Sequence, residues 1–297
     1  MADDKSGGTS PSPPTDRVVS IVEMLASLEA PATSADLADG LGLSRSTVGS
    51  ILSALRERGW VRRQADLRYA LGPALAGVAE KAREALPVPN GLAARIEALA
   101  ARVGCGAALS LVEDGRLAFV AMTEGLGHIP AGIEVGLRLP MQAPGGAAVV
   151  AFSDRALQQR WLDTVPVERR AQLESSLAQI ADSGVGVWGA DAADIDRIDI
   201  LAQVVSHLSA DPASQGLRDR VQSIITDTSG HLYDTATLAS ERDLPISYLS
   251  APVFDSVGTP VWELQIGPLR PAVSHSERGH YIREITNAAK ELSVWKS

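Results

Sequence analysis

One cysteine in 297 residues leaves no partner for a disulfide and too few thiolates for a cysteine-based zinc site, which fits a reducing compartment. Cys105, in "VGCGAAL", is expected to act as a small buried hydrophobe. No apolar run approaches the roughly 18 residues of a membrane span. Residues 1–15, "MADDKSGGTSPSPPT", are acidic and lack the apolar core of a secretory leader, so a soluble, cytoplasmic protein with no membrane partner is expected. The five histidines include no i, i+4 pair, so zinc is not indicated. No G-x-S-x-G elbow and no cysteine–histidine arrangement points to catalysis, and nothing calls for a cofactor. Lysine is also scarce, at 4 of the 27 basic residues, and arginine is the better fork for phosphates and guanine edges, but the bias runs along the whole chain and genome composition explains it equally well.

What is present is enough apolar material, 45% of residues, to build two cores at this length. The net charge of −9 is unevenly spread. Between Ser44 and Leu71 stand six arginines (45, 56, 58, 62, 63 and 68) against Glu57 and Asp66. That segment carries +4, which leaves −13 on the rest of the chain. A basic patch on an acidic protein implies one local anionic partner.

The patch falls in a run of helical patterns. After a Ser-, Gly- and Pro-rich tail over 1–15, expected to be disordered, Val18, Ile21, Val22, Leu25 and Leu28 mark a first helix. Thr33 and Asp36 have capping-box spacing at the start of a second, which Gly42 ends. Ser44 caps a third, running to about Arg58, whose core stripe is Val48, Ile51, Leu52 and Leu55. Its other face holds Arg45, Ser46, Thr47, Gly49, Ser50, Ser53 and Arg56, short or cationic and free of acids before Glu57. An ordinary solvated face mixes Glu with Lys; this one is shaped to enter a major groove. "WVRRQADLRYALG" then reads as a hairpin, placed where a wing would sit. These features predict a winged helix-turn-helix over 16–72 and a linker helix over 73–89.

From residue 90 to 297 the pattern is mixed. A helix over 91–103, paired strands "AALSLVED" and "LAFVAMTE", helices within 154–183, two late strands and a closing helix predict an α+β domain with an antiparallel sheet. "GVGVWG", 184–189, matches the dinucleotide pattern G-x-G-x-x-G but follows a helix, so it is read as a turn and strand. Asp191, Asp194, Asp196 and Asp199 lack calcium-loop spacing and are read as a solvated helix face.

Taken in order, "SADLADGLGLSRSTVGSILSALRERGWV", "LRYALGPAL", "EDGRLAFVA", "GLRLPMQAPGGAAVVAF" and "SAPVFDSVGTPV" resemble the IclR family of bacterial transcriptional regulators over most of residues 16–295. The resemblance implies a DNA-binding winged helix and a C-terminal GAF-like domain that binds a small organic effector. It also implies work as a homodimer or dimer of dimers, most often as a repressor on a double-stranded operator. The DNA contacts expected are Ser44, Arg45, Ser46, Thr47, Ser50, Arg56, Arg62, Arg63 and Arg68.

By similarity, the loop "MQAPGGAA" forms the pocket wall with Gln142, Ala143, Gly145 and Gly146, its glycines bringing a ligand close to backbone N–H groups. Tyr248 lies where the family places a pocket residue, and Met122, Ile246, Leu264 and Ile266 would complete an apolar cavity. The expected effector is fairly apolar, an aromatic acid being one candidate.

Three departures stand out. Gly49-Ser50 replaces a His-Arg pair common in the family, and a helical glycine costs about 1 kcal/mol. The family's Ser-x-Ser-Gly-Pro reads Leu264-Gln265-Ile266-Gly267-Pro268 here. Finally, 67 residues separate Gly184 from Pro252 where relatives have a short connection, giving an atypical insertion near 190–244. Gly49-Ser50 and the overall acidity also support a different reading, a ligand sensor whose winged helix makes protein contacts.

Overall fold

A computed structural model describes residues 12–28, 30–85, 91–123, 135–136, 138–191, 193–195, 197, 200 and 230–293. These fall into two compact units, one up to residue 85 and one from residue 91.

In the first unit, helix α1 (Pro13–Ser27) begins three residues before the expected tail boundary. Its opening prolines have a preset φ and lack N–H groups that a helix start would leave unpaired. Helix α2 (Ser34–Leu41) carries the full capping box: Asp36 N donates to Thr33 Oγ1 at 3.1 Å and Thr33 N to Asp36 Oδ2 at 2.8 Å. Gly42, at φ 62°, closes it, and α3 (Arg45–Glu57) follows. Strands β1 (Val61–Arg63) and β2 (Tyr69–Leu71) pair antiparallel, with Val61 opposite Leu71. Ile21, Leu25, Leu37, Val48, Leu52 and Val61 are buried together beneath them, each worth about 1.5–3 kcal/mol of apolar transfer. Helix α4 (Ala74–Ala85) stands where the linker helix over 73–89 is expected; residues 86–89 lie outside the described residues.

The second unit runs α5 (Leu92–Val103), β3 (Gly106–Glu113), β4 (Arg116–Thr123), β5 (Arg138–Pro140), α6 (Ala147–Val150), α7 (Arg155–Leu162), α8 (Val167–Ser183) and β6 (Gly186–Gly189). After residues 201–229 come β7 (His231–Leu232), α9 (Thr235–Leu238), β8 (Leu244–Ile246), β9 (Tyr248–Phe254), β10 (Pro260–Gly267), β11 (Arg270–Val273) and α10 (His275–Ser293). Among the described residues seven strands form one antiparallel sheet in the order β5-β4-β3-β10-β9-β6-β7, while β8 and β11 pair separately. This is the expected α+β layout.

Strand side chains alternate between faces, and each face has its own core. Leu109, Leu249, Ala251, Leu264 and Ile266 pack with α5 and α10 through Ile96, Leu99 and Ile285. Trp188 points the other way and packs with α6, α7 and α8 through Val150, Trp161 and Ile180. "GVGVWG" supplies the left-handed cap of α8, Gly184 at φ 74°, and then β6, so its glycines end a helix and build a strand, where dinucleotide binding requires them to leave a strand and open a helix. Cys105 is buried, and that burial pushes its thiol up to about 12.

Asp194 pairs with Arg197 at 2.9 Å, whereas Asp196, Asp199 and most of the 190–244 insertion lie outside the described residues. Buried Arg278 fastens the loop before β8, donating to the carbonyls of Leu238, Ser240, Arg242 and Val273. Four carbonyl dipoles take the place of a counter-ion there.

Candidate functional site

The first candidate site is built on α3 and the β1–β2 hairpin. Ser44 Oγ accepts from Thr47 N at 3.1 Å and bonds the hydroxyls of Ser46 at 2.9 Å and Thr47 at 2.8 Å. Ser44 is therefore committed as the helix cap, and Thr47 is half-buried beside it. Arg45, Ser46, Gly49, Ser50 and Arg56 are exposed. Among the described residues Arg45, Arg56 and Arg62 form no ion pair, so their charge is available to an anion. Arg63 holds its guanidinium 5.7 Å from the centre of the Tyr69 ring, which orients the charge without neutralising it. Arg68 is the restrained member. Its Nη1 donates to Pro31 O at 3.0 Å, and its Nε lies 3.6 Å from Asp66.

At the hairpin tip Leu67 N donates to Gln64 O at 3.1 Å and Gln64 N to Arg68 O at 2.7 Å. This turn leaves Leu67 in the left-handed region, φ 69°, where glycine usually sits. The side chain is 58% exposed.

The second candidate site is the α6 face of the large sheet. Cross-strand register sorts the expected pocket residues, because residues opposite one another share a face. Met122 lies opposite Ala108, Ala108 opposite Gln265, Gln265 opposite Ser250, and Ser250 opposite Gly186. Ser110 lies opposite Glu263, and Tyr248 opposite Trp188. Met122 and Tyr248 thus share the face covered by α6. Leu264 and Ile266 do not: they alternate to the far face and enter the core under α5 and α10, as does Ile246 from β8. The structure does not bring these three together with the 142–146 loop.

The loop is held by bonds of its own and by bonds to its neighbours. Gly145 N donates to Gln142 O at 2.8 Å, Ala147 N to Pro144 O at 3.2 Å, and Ala143 N to Thr164 Oγ1 at 3.1 Å. Trp161 Nε1 donates to Gly145 O at 2.8 Å. A Cβ on Gly146, at φ 79°, would meet Met141 Cγ at 2.9 Å, so only glycine fits that bend. Gln142 is exposed and Ala143 buried.

Glu263 completes the site. It is 1% exposed; its Oε2 accepts from Ala148 N at 3.0 Å and its Oε1 from Gln265 Nε2 at 2.5 Å, and the Gly146 amide lies near enough to favour its charged form. Burial outweighs these bonds and pushes the carboxyl up to about 7. Beside it, Tyr248 stacks on buried Trp188 with ring centres 5.6 Å apart and planes 9° apart. Trp188 Nε1 donates to Ser250 Oγ at 3.2 Å. Burial first and the Glu263 charge second drive the Tyr248 hydroxyl well above its ordinary range.

Glu263, Gln265, Trp188 and Ser250 were not among the expected residues. The signal for Glu263 and Gln265 was a lone acid followed two places later by an amide in the apolar run "VWELQIG", one position out of register with Leu264 and Ile266.

A separate groove of about 430 Å³ lies beside α10, lined in part by Arg270, Glu277, His280 and Tyr281. Its charges satisfy each other. Arg270 Nη1 lies 2.6 Å from Glu277 Oε1 and, with bonds from Ser274, holds that carboxyl down at about 2. Among the described residues no cluster of His, Cys, Asp and Glu could hold a metal, and no helix is long and apolar enough to cross a membrane.

Residues 14–65 match the family model of the IclR helix-turn-helix domain. Solved structures with the same fold span nearly the whole chain. An IclR protein of Thermotoga maritima matches with a TM-score of 0.61 at 15% identity, covering 94% of this chain and 96% of that one. An IclR transcriptional regulator from Alicyclobacillus acidocaldarius gives 0.60 at 16%, covering 97% and 100%. An IclR homologue of Microbacterium hydrocarbonoxydans, complexed with 4-hydroxybenzoate, gives 0.58 at 16%, covering 94% and 98%. Among proteins of curated function, none matches the chain.

Proposed function

From an IclR helix-turn-helix domain at residues 14–65, set in a chain with the fold of IclR regulators, we propose a DNA-binding transcriptional regulator controlled by a small organic effector. The observation that carries this reading is α3, whose exposed surface presents unpaired Arg45 and Arg56 with short polar residues between them and no acid before Glu57. Exposed Arg62 and Arg63 follow on the hairpin. Arginines of this kind position a protein on phosphates or read base edges, and small neighbours let the helix approach the groove.

In this reading the protein is a cytoplasmic homodimer, or dimer of dimers, and a repressor whose operator affinity the effector controls. Two α3 helices then address successive major grooves about 34 Å apart. Effector occupancy of the α6 face changes operator affinity; a coupling of about 1–3 kcal/mol gives about 5- to 150-fold. That the Microbacterium homologue is complexed with 4-hydroxybenzoate supports an organic ligand for this chain, and Tyr248 stacked on Trp188 offers an aromatic wall for one. The role is regulatory rather than catalytic.

Gel-shift titration against the upstream region of the protein's own gene, at several salt concentrations, tests the reading. Affinity is expected to fall steeply with salt. Changing Arg45, Arg56, Arg62 or Arg63 to Ala flattens the slope by about 0.9 for each phosphate no longer neutralised, and Arg68→Ala has less effect because Arg68 is already bonded. A salt-insensitive shift, or none, removes the DNA-binding reading and favours protein contacts.

A further inference from the structure

We infer that Glu263 makes the α6 face select ligands that donate a hydrogen bond or carry positive charge, and reject carboxylates there. This inference rests on the effector-binding role proposed above.

The backbone amides that could hold an organic anion are already taken. That of Ala148 donates to the Glu263 carboxyl, those of Gly145 and Ala147 to Gln142 O and Pro144 O, and that of Gly146 lies near the same carboxyl and favours its charged form. The chain's own carboxylate thus stands where a ligand's carboxylate would have to bind. A second anion brought beside it would meet like-charge repulsion in a buried, weakly screened setting, with no free amide of residues 145–148 to offset it.

The same group suits a donor. A carboxylate offers about four acceptor positions, and two hydrogen bonds reach this one, from Ala148 and Gln265. Its remaining acceptor capacity is what a ligand's hydroxyl, amide or ammonium hydrogen would use. Around it, Tyr248 and Gln265 are half-buried while Trp188, Ser250 and Ser110 are buried, so the accessible side of the cluster is the Tyr248–Gln265 side. The ligand class is therefore a ring that lies against the Tyr248–Trp188 stack and turns an –OH, –NH or –NH₃⁺ group toward Glu263.

Thermal-shift and calorimetric titrations with matched triplets test this. Each triplet is one ring (phenyl, 4-hydroxyphenyl or cyclohexyl) bearing a carboxylate, a carboxamide or an aminomethyl group. With the full-length protein near pH 8, amide and amine members should bind at least about tenfold more tightly than the matched carboxylate, a gap of about 1.4 kcal/mol. Glu263→Gln keeps the acceptor for Ala148 N but removes the charge, and should narrow that gap to about threefold.

A second arm needs no variant. Lowering the pH to about 6 protonates more of Glu263 and should narrow the gap in the unaltered protein, Tyr248 being the ionisable neighbour whose state is linked to it. Carboxylates that bind as tightly as their partners, or a gap unmoved by both Glu263→Gln and pH, overturn the inference and leave the effector role standing. If no member of any triplet binds either protein, the organic-effector reading falls and takes this inference with it.

Discussion

Glu263 holds its proton more tightly in the folded protein, near pH 7, than a glutamate in the unfolded chain, near 4.5. A folded-state pKa raised in this way means that stability is full below about pH 4.5 and is lost as the pH rises through 7. The loss amounts to about 3 kcal/mol at most. Glu263→Gln, which cannot ionise, should therefore gain on the unaltered protein as the pH rises, the difference levelling off above about 8. Denaturant titrations at pH 5, 6, 7 and 8 measure it, and a stability difference flat in pH would show that the carboxyl is not held in its neutral form. Leu67 supplies an opposite case, a strained residue on the surface. A left-handed leucine costs about 1–2 kcal/mol, and glycine gives back about 0.5–1 through its freer unfolded chain, so Leu67→Gly should stabilise the first unit by about 0.5–1 kcal/mol. A lower melting temperature for Leu67→Gly would mean that the exposed side chain contributes packing the hairpin needs.

At the scale of elements, α3 combines a strong cap and an apolar stripe with a glycine in its middle. A Cβ at Gly49 would meet no atom within 4 Å, so nothing in the fold requires glycine there. Gly49→Ala should raise stability by about 1 kcal/mol through helix propensity alone. Gly49 also lies four residues from Arg45 and seven from Arg56, on the stripe that carries both arginines. Close docking on DNA predicts that the same methyl lowers operator affinity, so that stability and binding move in opposite directions. Equal or tighter binding by Gly49→Ala in a gel shift would place the groove contact elsewhere on the helix.

Helices of this kind were legible in the sequence because their start and stop signals are local. Thr33 with Asp36, Gly42 and Ser44 all act within one turn of their own position, and each appears where its spacing placed it. The hairpin at 61–71 and the helix–strand–strand order after residue 91 were legible for the same reason. Which face a strand presents is not local. Leu264 and Glu263 differ by one position, and a one-residue shift exchanges the two faces of a sheet; the family's polar pattern, laid onto this strand, selected the far face. That the loop amides would be filled by the chain's own Glu263, 115 residues away from Ala148, is a tertiary fact with no local signature.

For the whole molecule, charge and, in the proposed homodimer, symmetry bear on the proposed meeting with a duplex. The segment from Ser44 to Leu71 carries +4 and the remaining chain −13, so general attraction to DNA is opposed and productive contact is confined to one short stretch of each protomer. A lone patch of that size binds weakly at physiological salt, and the effective concentration of a second, linked patch raises avidity. The proposed homodimer gains this only when both α3 helices face their grooves together, which makes affinity depend on helical phase. Inserting five base pairs between operator half-sites turns one of them about half a turn away, since a full turn takes about 10–10.5 base pairs. Affinity should then fall by about 100-fold, toward that of an isolated half-site. Light scattering of the complex reports the protomer count alongside the gel shift. If the five-base-pair insertion leaves affinity unchanged, each protomer binds alone, and the symmetric arrangement fails even if the arginine contacts stand.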